Sequence, residues 1–106
     1  MLADPITQIA GLEPTYSAQK AAALLGRSYS WLDQRLRRGE FTLPDGTVLQ
    51  PLRSPGGYRY FSIEVLREIA CCCYRHHWCS FEELTCVFRE LVMAAHRDTG
   101  EREIPG

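Results

Sequence analysis

No stretch of the chain approaches the roughly 18 consecutive apolar residues that a bilayer-crossing helix needs. Its N-terminus also lacks the basic-then-apolar pattern of a secretory leader. These two absences predict a cytoplasmic protein with no membrane partner, whose five cysteines are reduced thiols rather than a disulfide framework. Catalytic signatures are missing too: there is no phosphate-binding P-loop, dinucleotide fingerprint, zincin motif or nucleophile elbow. The sequence therefore predicts no enzyme, no catalytic residue and no cofactor. Lysine is nearly absent, Lys20 alone among 12 basic residues, so any positive surface is built from arginine. At 106 residues the chain has room for one domain with a modest core and none for a deep cleft.

What is present is organised around Arg53-Ser-Pro-Gly-Gly-Tyr-Arg-Tyr-Phe-Ser62. A Pro-Gly-Gly corner cannot lie inside a helix or a central strand, because proline fixes φ and lacks a donor while glycine supplies positive φ. The aromatic run Tyr58 to Phe61 behind it reads as a strand, and Ser62 opens a helical pattern. A tight turn with an arginine on each arm, joined directly to a helix, is the build of a winged DNA-binding domain.

The charge distribution agrees. The formal net charge is −1, but residues 27–79 carry eight arginines against five acids, a net of +3. Residues 80–106 carry three arginines against six acids, a net of −3. One basic face and one acidic part are expected where a single face meets phosphates.

Residues 1–15 hold Pro5, Gly11 and Pro14 without a sustained period and read as an N-terminal arm, with Ile6, Ile9 and Leu12 docking on the core. Ser17 caps a short helix to about Leu25, and Gly26 ends it. Ser28 caps a second helix over 28–38, with Leu32 and Leu36 inward at i, i+4 and Gly39 just past its end. Two short helices around a glycine make a helix-turn-helix. The outer stripe of the second takes Arg27, Ser28, Tyr29, Ser30, Gln34, Arg35 and Arg38, where arginine suits guanine and glutamine suits adenine. Trp31 fits either beneath the helix or against a DNA backbone.

Residues 41–61 read as a two- or three-stranded wing, with a hairpin at Asp45-Gly46 and a second turn at Pro55-Gly-Gly57. Gly57 admits close approach to a phosphate, and Arg53 and Arg59 reach backbone or minor groove. A third helix begins after Ser62, with Ile63, Leu66, Ile69, Ala70 and Cys73 inward. His76-His77-Trp78 interrupts it. Ser80-Phe-Glu-Glu83 is a capping box for a final helix whose stripe runs Leu84, Val87, Phe88, Leu91, Val92 and Ala95. Any surplus of that stripe is a dimer surface, and residues 98–106 read as a polar tail.

Cys72, Cys73, His76, His77 and Cys79 form a thiol- and imidazole-rich cluster in which Cys72/His76 and Cys73/His77 are each one helical turn apart. The usual two-cysteine, two-histidine spacing is absent, and consecutive cysteines point to different helix faces. Structural packing is the favoured reading over a metal site.

Tyr16 to Ser28 resembles the first helix and turn of MerR-like winged-helix proteins. Gly57-Tyr-Arg-Tyr-Phe-Ser-Ile-Glu-Val-Leu-Arg-Glu-Ile69 resembles their wing-to-helix segment, and Trp78 to Leu84 the approach to their fourth helix. The resemblance spans roughly residues 16–95. It implies a mainly α fold with a small β-wing, four helices plus a two- or three-stranded antiparallel hairpin, over residues 16–97. It further implies a transcription regulator that binds double-stranded DNA, with helix 28–38 in the major groove and wing 53–59 beside it. By the same resemblance Gly57, Tyr58 and Arg59 contact phosphate, and Arg27 to Arg35 form the recognition positions. The long dimerisation helix and effector domain of MerR regulators proper are missing, which points to the small members, phage excisionases included, acting in a bacterial or phage-infected cell. Such proteins bind as weak homodimers or cooperative arrays. The alternatives are an excisionase or recombination directionality factor, a protein-interaction module that reuses the fold, and a thiol or metal sensor.

Overall fold

The structure, a computed structural model, describes residues 14–99. The docking expected for Ile6, Ile9 and Leu12, and the tail from Gly100 onward, lie outside the described residues.

Each of the four helices starts on a serine. The Ser17, Ser28 and Ser62 hydroxyls accept from the amides of Lys20 (3.2 Å), Trp31 (3.1 Å) and Val65 (3.2 Å), satisfying donors that the first turn leaves open. They precede α1 (Ala18–Leu24), α2 (Tyr29–Arg38) and α3 (Ile63–Arg75). At α4 (Phe81–Thr99) the capping box closes in both directions. Glu83 N donates to Ser80 Oγ (3.1 Å) and Ser80 N donates to Glu83 Oε1 (2.8 Å).

The first three helices also end alike. After α1, Gly26 N donates to Ala23 O and Arg27 N to Ala22 O; after α2, Gly39 N donates to Leu36 O and Glu40 N to Arg35 O. These paired bonds are Schellman motifs, and they need a left-handed residue, which Gly26 (φ 73°) and Gly39 (φ 68°) provide without strain. After α3 the same two bonds run from His77 to Tyr74 and from Trp78 to Cys73. Here the left-handed position is occupied by His77 at φ 62°, where a Cβ costs energy. His77→Gly is therefore expected to raise stability by about 0.5–1 kcal/mol, read as a higher midpoint in thermal or urea unfolding.

Strands β1 (Thr15–Ser17), β2 (Leu52–Arg53) and β3 (Arg59–Ser62) form an antiparallel sheet in the order β1-β3-β2. Tyr16 pairs with Phe61 and Arg53 with Arg59. The architecture is a small domain of four helices and a three-stranded antiparallel sheet. Two expectations are corrected. The third strand comes from residues 15–17, assigned above to the arm and the first cap, whereas residues 41–49 contribute only a single bridge, Thr42 to Val48. Three residues are too short for a period of two to register, and their partner lies more than forty positions away. The final helix also reaches through Asp98 and Thr99, into the expected tail.

Phe41, Phe61, Leu32, Leu66, Ile69, Leu91 and Cys72 are fully buried and gather all four helices and β3 on one core. Burying a phenylalanine such as Phe61 contributes about 2–3 kcal/mol. Ala21 and Ala22, buried on α1, let that helix sit close to the core. Tyr16 Oη donates to Asp98 Oδ2 at 2.6 Å and ties β1 to the end of α4. Burial first, and then the Asp98 carboxylate, push the Tyr16 hydroxyl above its ordinary range. No helix among the described residues is long and apolar enough to cross a membrane.

Candidate nucleic-acid interface

Helix α2 presents four faces. Leu32, with Leu36 beside it, packs into the core. On one flank Trp31 meets Phe41 (5.8 Å between ring centroids) and Trp78 (6.2 Å, edge to face). The left-handed turn at His77 is what brings Trp78 back to this position. Arg27 lies over Trp31 at 4.7 Å, and its Nη2 donates to Trp78 O at 2.7 Å. Arg35 lies over Trp78 at 4.1 Å and over Trp31 at 4.9 Å, and its Nη1 bonds Glu40 Oε1 at 2.6 Å. His76 stacks on the other side of this group, 4.6 Å from the Trp78 ring. Guanidinium groups held on indole faces are attracted by the ring quadrupole. Of the two places open to Trp31, it occupies the one beneath the helix.

The opposite flank meets the sheet. Arg59 Nη2 bonds Asp33 Oδ1 at 2.6 Å and donates to Tyr29 Oη at 3.3 Å; its side chain is only 14% exposed. Arg37 Nε bonds the second Asp33 oxygen at 2.9 Å. The bond from Arg59, ahead of that from Arg37, holds the Asp33 carboxyl below the usual carboxylate range. Asp33 thus joins β3 to α2 and fixes the hairpin relative to the helix.

The fourth face is open. Ser30, Gln34 and Arg37 follow at i, i+4, i+7, with Arg38 alongside; the Arg37 side chain is 75% exposed and that of Arg38 63%. Next in sequence to Arg59, the partner of Asp33, is the hairpin tip. Gly57 N donates to Ser54 O (2.8 Å), Tyr58 N donates to Ser54 Oγ (3.2 Å), and Arg53 Nη1 reaches Gly57 O (3.2 Å). Tyr58 is 79% exposed.

The expected contact residues therefore divide. Ser30, Gln34, Arg38, Arg53, Gly57 and Tyr58 are open to solvent. Ser28 is spent on capping, and Tyr29, though exposed, faces Arg59. Arg27, Arg35 and Arg59, expected as DNA contacts, are instead held by indoles, carboxylates and a carbonyl. Arg35 is one residue on from Gln34, and the 100° step carries it round to the tryptophan flank. Arg37 was missed, although Ser30-Gln34-Arg37 spacing marks it as a member of the open face.

The thiols and imidazoles do not converge. Cys72 Sγ accepts from Thr42 N (3.4 Å) and donates to Glu40 O (3.6 Å), securing the loop after α2 together with the Arg75 bond to Thr42 O. Cys73, Cys79 and Cys86 line a cavity of ≈ 410 Å³ between the α1–α2 turn and α4. Burial pushes the Cys73 thiol up to about 12 and raises Cys79 as well, so neither is a ready thiolate. His76 is stacked on Trp78 and His77 serves the turn. Among the described residues no group of three or more His, Cys, Asp or Glu is arranged to hold a metal ion.

Residues 6–94 match the family described as a domain of unknown function, DUF7229. No curated protein and no solved structure matches the chain.

Proposed function

The chain belongs to the DUF7229 family, and we propose that it is a small MerR-like winged helix-turn-helix protein that binds double-stranded DNA as a transcription regulator. In this reading α1, the turn at Gly26 and α2 are the helix-turn-helix, and the β2–β3 hairpin is the wing. Helix α2, about 15 Å long, enters the major groove on its open face. Gln34 and Arg37 meet base edges there, Ser30 and Arg38 meet the flanking backbone, and Arg53 and Tyr58 meet the neighbouring backbone or minor groove.

One observation carries the reading. A polar outer face is ordinary for any amphipathic helix, but this one has a second cation-bearing element, the tip with Arg53 and Tyr58, tied to the same helix through Arg59 and Asp33. Arg27, Arg35 and Arg59 become positioning residues, which orient α2 and the hairpin without touching DNA.

Two substitutions separate the roles. Arg53→Ala is expected to weaken binding to all duplexes alike and to reduce the slope of log K against log salt by about 1. Gln34→Ala is expected to relax preference at one or two base pairs by about tenfold while leaving the salt slope alone. Titrations of labelled duplexes at several salt concentrations read both, and unchanged affinity in both variants would sink the assignment.

A further inference from the structure

Helix α4 carries two seams; the fold uses the whole of one and, of the other, only Phe88, which is half-buried against the core. Leu84, Val87, Leu91 and Ala94 turn toward the core, with Leu91 and Ala94 fully covered. Phe81, Thr85, Phe88 and Val92 repeat at intervals of four, three and four, the spacing of a coiled-coil seam. This second row lies to one side of the first. Phe81 and Val92 are 65% and 66% exposed, and Tyr74 of α3 extends the apolar surface through an edge contact with Phe81 at 6.0 Å between ring centroids. Isolated apolar side chains at a surface need no explanation, but a contiguous row at heptad spacing does.

We propose that this row is the interface with a second copy of the chain, packed antiparallel through α4 about a two-fold axis that passes between Cys86 and Val87. The charges select the copy, the direction and the register. The first turn of α4 carries Glu82 and Glu83, so parallel packing would set these carboxylates beside the partner's own, whereas antiparallel packing separates them and opposes the two helix dipoles. With the axis at Cys86/Val87, Phe81 faces the partner's Val92 and Thr85 faces the partner's Phe88. Glu82 and Arg89 flank the seam on its exposed side, and this register brings each Glu82 beside the partner's Arg89, about 3 Å apart along the axis, twice over. The neighbouring register, with its axis near Arg89, sets that arginine against its own copy. Among the described residues neither Glu82 nor Arg89 has an ion-pair partner within its own chain. Antiparallel seams pair flanking residues of the same heptad position, so a single Glu and a single Arg seven residues apart suffice for self-recognition. The seam spans about three helical turns, small beside the roughly 1,600 Å² of a standard interface, which makes the association reversible with concentration.

The test uses the full chain without DNA, so it stands apart from the DNA-binding reading. Sedimentation is followed over about a hundredfold range of protein concentration. A monomer–dimer equilibrium is expected. Val92→Glu should weaken it by about a hundredfold or more and leave the melting temperature of the monomer unchanged, because Val92 is exposed there. Glu82→Arg and Arg89→Glu should each weaken it about tenfold, and the double variant should recover most of the loss. A monomer at every concentration, a dimer indifferent to Val92→Glu, or a double variant no better than the single ones would overturn the proposal. So would a monomer whose melting temperature falls on Val92→Glu, since a segment of the same chain would then cover the row.

Discussion

Replacing Arg37 and Arg38 together with alanine is expected to weaken duplex binding by about a hundredfold, with little change in melting temperature. A good arginine contact to a base edge, as proposed for Arg37, contributes about 1–3 kcal/mol, and the loss of the Arg38 phosphate contact multiplies its effect. Stability should hold because both side chains are largely in water, at 75% and 63% exposure. Their ion pairs, Arg37 to Asp33 at 2.9 Å and Arg38 to Glu40 at 3.8 Å, are of the exposed kind that contributes little. Asp33 keeps Arg59 and Glu40 keeps Arg35, so neither carboxylate is stranded. Electrophoretic mobility titration beside a thermal melt checks both halves. Intact affinity with an intact fold would remove α2 from the interface.

Arg35→Ala should do the reverse. Its guanidinium lies against two indoles and pairs with Glu40, and the side chain is mostly covered. Removing it opens a gap between Trp31 and Trp78 and leaves Glu40 with only the distant Arg38. A loss of about 2 kcal/mol follows, which for a domain of this size lowers the melting temperature by roughly 10 °C. DNA affinity measured well below the new melting point should change only a few-fold, because the open face keeps its own side chains. A large loss of affinity with no loss of stability would return Arg35 to the role that the sequence alone suggested for it.

The contrast between these two arginines shows where sequence reading stops. The caps were legible because their chemistry is local: a serine at the start and a glycine in the left-handed position announce themselves within four residues. Ser17, Ser28, Ser62, the Ser80–Glu83 box, Gly26 and Gly39 all sit where their neighbours imply. The β1–β3 pairing was not legible, because Thr15 to Ser17 find their partners in residues 60–62, far along the chain. Nor could the sequence tell an exposed arginine from a covered one. Arg35 and Arg37 are chemically alike and two positions apart, and only the location of Trp78, brought round by the turn at His77, decides which is spent on packing. The same holds for Arg59, whose partner Asp33 lies in a different element.

The cysteine-rich stretch follows the same logic. Adjacent thiols at Cys71, Cys72 and Cys73 suggest a site when read as a string. On a helix they point in three directions, and Cys72 is taken up by the loop at Glu40 and Thr42.

The most direct test of the central claim is retention of random genomic DNA fragments by the purified protein at low and at moderate salt. The account predicts a few recurring fragments held at low salt and lost steeply as salt rises. With Arg38 and Arg53 each displacing counterions from phosphates, log K should fall against log salt with a slope of about −2 per protomer. No retention at low salt would contradict it, and would turn the open face of α2 and the hairpin tip toward a protein partner.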